Sequence, residues 1–494
     1  GRRSWSAVPM ILSQPDQRAR LLEGFFAREP GLDGSFLVGV TSTGIYCLPS
    51  CPARKPKPEN VVLIEERADA LALGLRACKR CRPDLFILGV DLDEERMGEL
   101  ADELHAAPGE FSDVSDLAAR AGVGRTKLTE LARAHFHCSP ANLLLEAKLA
   151  QAARDLALTG RRVLDVALDA GFEGASAFHG NFRSRFGVTP KAYRELGKTK
   201  AGELVDVELP LGFNSEDLLN YMGRDRAGVC ERRAGSKLEK GILLNGRAAR
   251  LELVFGPSRL RYAVRAPGKV SASMRYTAHG VIVRLLGLIH DPETFERRAV
   301  RAGHRCLIAN QRGARMALSA SPFEALLWAI VGQQVNLSFA STCRARLIEL
   351  AGVDAGRGLL AHPGPEHLAA FEPQDLLPLK LSGRKAEYVV GTSRALASGR
   401  IDLDAFASRP VGVITRELLA LRGIGPWTVR YQLMRGYGMA DCVPVGDSAL
   451  ATALQRYFDL NERPKAAEQE RLLEPFAPHR TLASYHFWKS LQTT

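Results

Sequence analysis

At 494 residues, with 46% hydrophobic and 25% charged side chains, the chain has the length of three or four domains and a globular composition, which excludes a disordered or fibrous protein. No apolar run approaches the roughly 20 residues that span a bilayer, which excludes an integral membrane protein. Lys plus Arg number 67 against 55 Asp plus Glu, and this formal +12 suits a polyanionic partner without identifying one.

Gly1-Arg2-Arg3 is not followed by the apolar segment of a secretory signal, and Met10 is a candidate start, so the expected location is cytoplasmic. In that setting nine cysteines point to metal binding rather than to disulfides. The fold expected is multidomain and mostly α, in four units.

The first unit, residues 10–92, reads as a small α/β domain. Cys47 and Cys51, then Cys78 and Cys81, form two chelate pairs whose spacing lets four thiolates hold one tetrahedral ion, Zn2+ being the natural occupant. A structural zinc clip and a reactive zinc site both satisfy that spacing. The surroundings add to it: Gly44-Ile45-Tyr46-Cys47-Leu48-Pro49-Ser50-Cys51-Pro52-Ala53-Arg54 and Cys78-Lys79-Arg80-Cys81-Arg82-Pro83 resemble the Ada family's zinc module over about residues 15–90. The resemblance implies repair of methyl phosphotriesters, with Cys47 taking the methyl group and Cys51, Cys78 and Cys81 completing the ligand set. Four thiolates on one zinc carry a net −2 that repels DNA phosphate, and methylating one of them lowers this to −1. Arg54, Lys55, Lys57, Lys79, Arg80 and Arg82 can hold the phosphates, Arg54 and Arg80 foremost; any of them can instead be solvated surface, a reading that fits Lys55 and Lys57 best.

The second unit, residues 93–198, is helical almost throughout. Ala118-Ala119-Arg120-Ala121-Gly122-Val123 recurs as Ala167-Leu168-Asp169-Ala170-Gly171-Phe172, each copy lying between two helices, so two helix-turn-helix units are expected. Gly171-Phe172, Phe182, Phe186-Gly187, Thr189-Pro190 and Tyr193-Arg194 together are similar to the AraC family signature. That resemblance implies an activator that reads two major-groove segments with helices starting near Gly124 and Glu173. Arg125, Thr126, Lys127, His179 and Asn181 are its candidate DNA contacts, whereas the four-residue steps among Phe178, Phe182 and Phe186 read as core.

Residues 203–292 read as an α+β unit because Arg250–Val254 and Arg259–Val264 alternate apolar and polar residues. Residues 293–494 read as all-α. Leu421-Arg422-Gly423-Ile424-Gly425-Pro426-Trp427-Thr428 places Gly423 and Gly425 in a tight turn able to offer backbone N–H groups to a DNA phosphate. Asp447 follows in an apolar, Gly/Pro setting. The pairing resembles the helix-hairpin-helix DNA glycosylases, and Ser321–Val335 with Gly423–Thr428 is similar to their inducible 3-methyladenine branch.

That resemblance implies Asp447 as catalytic carboxylate, Trp427, Tyr431 and Trp488 as aromatic residues around an alkylated purine, and Gln334, beside Gln333, as the wedge into the duplex. Trp427 stands where bifunctional relatives carry a Schiff-base Lys, so a monofunctional enzyme is expected. Two structural alternatives stay open: Asp447 as the N-cap of a helix starting near Ser448, and Trp488 as core. No cysteine cluster follows the hairpin, so no iron–sulfur cluster is expected, and no Pro-Cys-His-Arg motif for methylguanine repair occurs.

The expectation is thus a monomeric alkylation-response protein that binds alkylated and promoter double-stranded DNA, contacts RNA polymerase and no membrane. The rival is a pure regulator whose carboxyl-terminal half is an inactive DNA clamp.

Overall fold

The computed structural model of the chain describes residues 15–492 apart from 88, 90 and 224, so Met10 lies outside the described residues. Two compact units result, one through Glu99 and one from Leu100 on. Among the described residues, no helix is long and apolar enough to cross a membrane.

The first unit is built on a four-stranded sheet in the order Val61–Ile64, Leu37–Val40, Ile45–Cys47, Arg76–Ala77. Its last two strands run parallel, with Tyr46 opposite Ala77, and Cys78 N–H donates to Tyr46 O at 3.0 Å. That register ends both strands side by side, so Cys47 and Cys78 emerge as neighbours. The turn after each strand then brings back Cys51 and Cys81.

In the second unit the helices Val114–Ala121 and Arg125–Phe136 form one helix-turn-helix, and Val163–Asp169 and Ala175–Phe186 the other. The long helix Pro140–Leu158 joins them. Its Lys148 is buried, yet satisfied, because Nζ donates to Ser112 O at 3.1 Å and Gly171 O at 2.7 Å. Phe178 and Phe182 are fully buried, as the four-residue spacing requires.

The following sheet is antiparallel, ordered Val205–Glu208, Arg259–Arg265, Arg247–Phe255, Lys237–Leu244, Glu231–Ala234, with the helix Ala272–Leu285 packed on it. The second helix-turn-helix and this sheet share one continuous core, from Leu149 through Phe182 to Leu253 and Ile282. His279 stitches them together: Nε2 donates to Phe186 O at 2.9 Å and Nδ1 accepts from the Tyr262 hydroxyl at 3.1 Å. Burial pushes this ring down to about 4, so it is neutral, as that donor–acceptor pattern demands.

The remainder is helical except for the short hairpin Val353–Gly356 and Leu359–Ala361, which sequence periodicity did not reveal. It lies against the sheet, where Leu360 N–H donates to Val229 O at 2.9 Å. Four charged groups, all buried or nearly so, fasten sheet to helices: Lys240 meets Glu231 at 2.5 Å and Glu324 at 3.0 Å, and Arg344 meets the same two acids at 2.8 and 3.1 Å. Two cations against two anions balance, so none is left unpaired in the interior.

Candidate functional site

Two chemical centres stand out, one in each unit. In the first, the sulfurs of Cys47, Cys51, Cys78 and Cys81 lie within 4.8 Å of one another and all four residues are buried. Without a cation the set is electrostatically frustrated. Hydrogen bonding to Cys51, sharing with Cys81 and burial push Cys47 well above the usual thiol range, while the Cys47 contact pulls Cys51 down to about 2. A dication resolves that conflict, and four sulfurs in tetrahedral reach suit zinc.

The loops are fixed by their own contacts. Ser50, between the first two ligands, has its N–H on Asp33 Oδ1 at 3.0 Å and its hydroxyl on Oδ2 at 2.5 Å. Leu48 N–H donates to the Cys81 sulfur at 3.4 Å. Among the described residues, no backbone N–H donates to the Cys47 sulfur. Arg54, Lys79 and Arg80 are exposed beside the quartet. Lys55 is taken by the fold, its ammonium 3.6 Å from the Phe25 ring centroid and 3.2 Å from Pro49 O, and Lys57 pairs with Glu59 at 3.8 Å.

In the helix-turn-helix pair, both reading helices start where expected, capped by Gly124 and Gly174. Arg125, Thr126, Lys127 and His179 are exposed near those starts. Asn181 is half-buried and turns its amide back onto Ala177 O at 2.9 Å.

The second centre gathers around Asp447. This residue caps the helix Ser448–Tyr457, with Leu450 N–H donating to Oδ1 at 2.7 Å. The Trp488 indole N–H also donates to Oδ1, at 3.0 Å, and the Trp427 indole N–H donates to Oδ2 at 3.1 Å. The helix cap and both indole contacts therefore fall on the same carboxylate. Trp427 and Tyr431 stack at 5.4 Å, tilted by 33°. Behind them lies a group that the sequence did not single out: the buried Arg435, 4.5 Å from the Tyr221 ring centroid and 5.7 Å from that of Tyr485. These side chains come from four separate elements, so no local pattern could have announced them.

The hairpin between Val411–Leu419 and Pro426–Tyr431 turns at Gly423, whose φ is +87° and where a Cβ would lie 2.2 Å from the Tyr388 ring. Both facts require glycine. Gly425 instead has ordinary φ and caps the second helix. The two neighbouring glutamines divide the work. Gln333 is tied into the fold, its Nε2 donating to Gly423 O at 2.9 Å and Thr428 Oγ1 at 3.0 Å. Gln334 is exposed, with φ of +55°.

Three family models match separate stretches of the chain. Residues 21–84 match the metal binding domain of Ada, 117–196 a helix-turn-helix domain, and 327–478 the HhH-GPD superfamily base excision DNA repair protein. The chain joins an Ada-type zinc domain, an AraC-type helix-turn-helix domain and a helix-hairpin-helix DNA glycosylase domain.

A Mycobacterium tuberculosis protein described as "Probable bifunctional transcriptional activator/DNA repair enzyme AlkA" is 29% identical over 97% of both chains, so the similarity runs the length of the chain. The "Bifunctional transcriptional activator/DNA repair enzyme Ada" of Escherichia coli is 30% identical over 38% of this chain and 52% of its own. A solved 3-methyladenine DNA glycosylase from Archaeoglobus fulgidus, 21% identical, superposes with a TM-score of 0.52 over 58% of this chain and 98% of its own, a likeness of fold. With the Ada-type match in place, the quartet is a zinc site.

Proposed function

We propose that this chain is an alkylation-damage response protein with two repair chemistries: Cys47 accepts methyl groups from DNA methylphosphotriesters, and the Asp447 centre excises alkylated purines such as 3-methyladenine. The observation that carries the second is the triple hold on Asp447. Leu450 and the two indoles occupy three of the roughly four acceptor positions of a carboxylate, leaving about one directed outward. When the N-glycosidic bond breaks, its electrons leave with the base and positive charge develops on the sugar. A fixed carboxylate stabilises that charge and can take the proton of the attacking water. The stacked Trp427 and Tyr431 favour a cationic base by roughly 0.5–2 kcal/mol. A base already cationic is a good leaving group and needs no second acid.

For methyl transfer, the Cys47 sulfur attacks the methyl carbon in line. The S–C bond forms as the C–O bond breaks, both electrons stay on the phosphate oxygen, and triester and thiolate become diester anion and thioether. Bound zinc keeps the sulfurs deprotonated at neutral pH. Among the described residues no backbone N–H donates to the Cys47 sulfur, whereas Leu48 N–H donates to that of Cys81, which supports Cys47 as acceptor. Its consumption makes the step a single event per chain. The lost negative charge then favours promoter binding through Arg125, Thr126, Lys127, His179 and Asn181, with RNA polymerase as the partner that activation implies.

Release of free base from alkylated duplex DNA, wild type against Asp447→Asn, tests the glycosylase. Asn keeps an oxygen for Leu450 N–H, so the variant should fold and bind DNA but excise orders of magnitude more slowly. Excision by Asp447→Asn at the wild-type rate refutes the assignment.

A further inference from the structure

The two helix-turn-helix copies end their reading helices differently. Phe186-Gly187-Val188-Thr189-Pro190 closes the second and Phe136-His137-Cys138-Ser139-Pro140 the first, so Gly187 and His137 hold the same place. Both are left-handed caps, with φ of 68° and 52°. Glycine adopts that conformation freely and an L side chain does not. The first copy therefore carries an unfavourable residue at a position where its own repeat shows the favourable one.

What the side chain gains is a contact across domains. His137 Nδ1 lies 2.8 Å from the sulfur of Cys442, which is fully buried at the head of the segment ending in Asp447. Burial pushes His137 down to about 4 and Cys442 up to about 12, so a neutral ring meets a neutral thiol. The segment is also held by the carboxyl-terminal helix Arg480–Ser490. Asp441 is paired with Arg480 at 2.7 and 2.8 Å, and Cys442 N–H donates to Thr481 Oγ1 at 3.0 Å. Arg480 and Thr481 begin the helix whose Trp488 donates to Asp447. The segment thus sits between that helix and His137. The same helix-turn-helix also packs its reading helix on Val411–Leu419, the first helix of the hairpin, and the preceding helix Leu92–Ala106 pairs its Asp102 with Arg409 at 3.7 Å.

We propose that His137 is a positioning residue of the glycosylase: through Cys442 it buttresses the segment that presents Asp447, making the first helix-turn-helix part of the excision machinery as well as a promoter reader. This rests on the glycosylase reading given above. Its consequence is that the excision centre is complete only with the helix-turn-helix docked, and that load on the reading helix reaches Asp447.

The test uses the full chain and 3-methyladenine release from alkylated duplex DNA under single-turnover, saturating conditions. His137→Gly removes the side chain while supplying the residue that the left-handed cap prefers. Its melting temperature should equal or exceed that of the wild type and its affinity for abasic duplex should be unchanged, while its excision rate constant falls about tenfold, the scale of a small misplacement of a catalytic group. Cys442→Ala should lose a similar factor, and the double variant should lose no more than either. His137→Gln, which keeps a polar group in reach of Cys442, should recover part of the rate. A His137→Gly protein that excises at the wild-type rate overturns the inference, as does a loss matched by a lower melting temperature. A wild-type chain that releases no base overturns the glycosylase reading itself, which is a different result.

Discussion

The cysteine quartet and the Asp447 centre, each proposed to present one reactive group, are held in opposite ways. The quartet is assembled by a short module, from two parallel strands ending side by side, and its charge is resolved by a metal. Asp447 is assembled by the whole second unit: a cap, two indoles from residues 427 and 488, and a segment wedged between the carboxyl-terminal helix and the helix-turn-helix. The difference matches the chemistry. In the proposed function, a sulfur that is consumed needs few donors, whereas a carboxylate that turns over needs its orientation fixed on every cycle.

If that contrast is right, the two centres fail separately. The largest effect belongs to the metal. Cys78→Ser should abolish stoichiometric zinc and unfold the first unit, since metal-linked folding energy is on the order of 10 kcal/mol, while base release stays within about twofold; elemental analysis beside an excision assay reads both, and the contrast breaks if excision collapses too. Next comes Asp447→Asn, for which removal of the charge should cost excision about a thousandfold, or ~4 kcal/mol, with zinc content and methyl transfer intact.

Third is Arg344→Ala, which leaves Glu231 and Glu324 facing Lys240 alone in the interior. Unfolding of the second unit should become easier by about 3 kcal/mol, measured by denaturant titration, with no change in zinc stoichiometry. Smallest is Trp488→Phe, which deletes one of three donors to Asp447 and keeps an aromatic ring. It should slow excision about tenfold, or ~1.4 kcal/mol, with little change in melting temperature. A loss no larger than that of a distant surface substitution would mean that the indole N–H is incidental.

The same contrast explains what could be read from the sequence. The zinc ligands fall in close pairs, and the reading helices start at glycines that punctuate a repeat, so local spacing announced both. Trp427 and Tyr431 were legible because they share one helix face. Trp488 had two readings, pocket aromatic and core, and the structure packs it against the core while placing its N–H on Asp447. Asp447 likewise read as either a cap or an acid; the structure shows the cap and adds two indole donors to the same carboxylate. Arg435 and Tyr221 gave no signal, and His137 gave only its place opposite Gly187 in the repeat, since their partners lie far away along the chain. The hairpin at 353–361 was missed because strands this short finish before an alternating pattern develops.

One measurement tests the central claim, that a consumed centre and a recycled centre share this chain. DNA carrying both methylphosphotriesters and 3-methyladenine is incubated in excess with the zinc-loaded protein, and peptide mass mapping is run on the same sample in which released base is counted. A methyl group on the Cys47 peptide should saturate at one per chain, while free 3-methyladenine keeps accumulating over many equivalents. No methyl on Cys47, a methyl on another cysteine, or no release of base would contradict that claim.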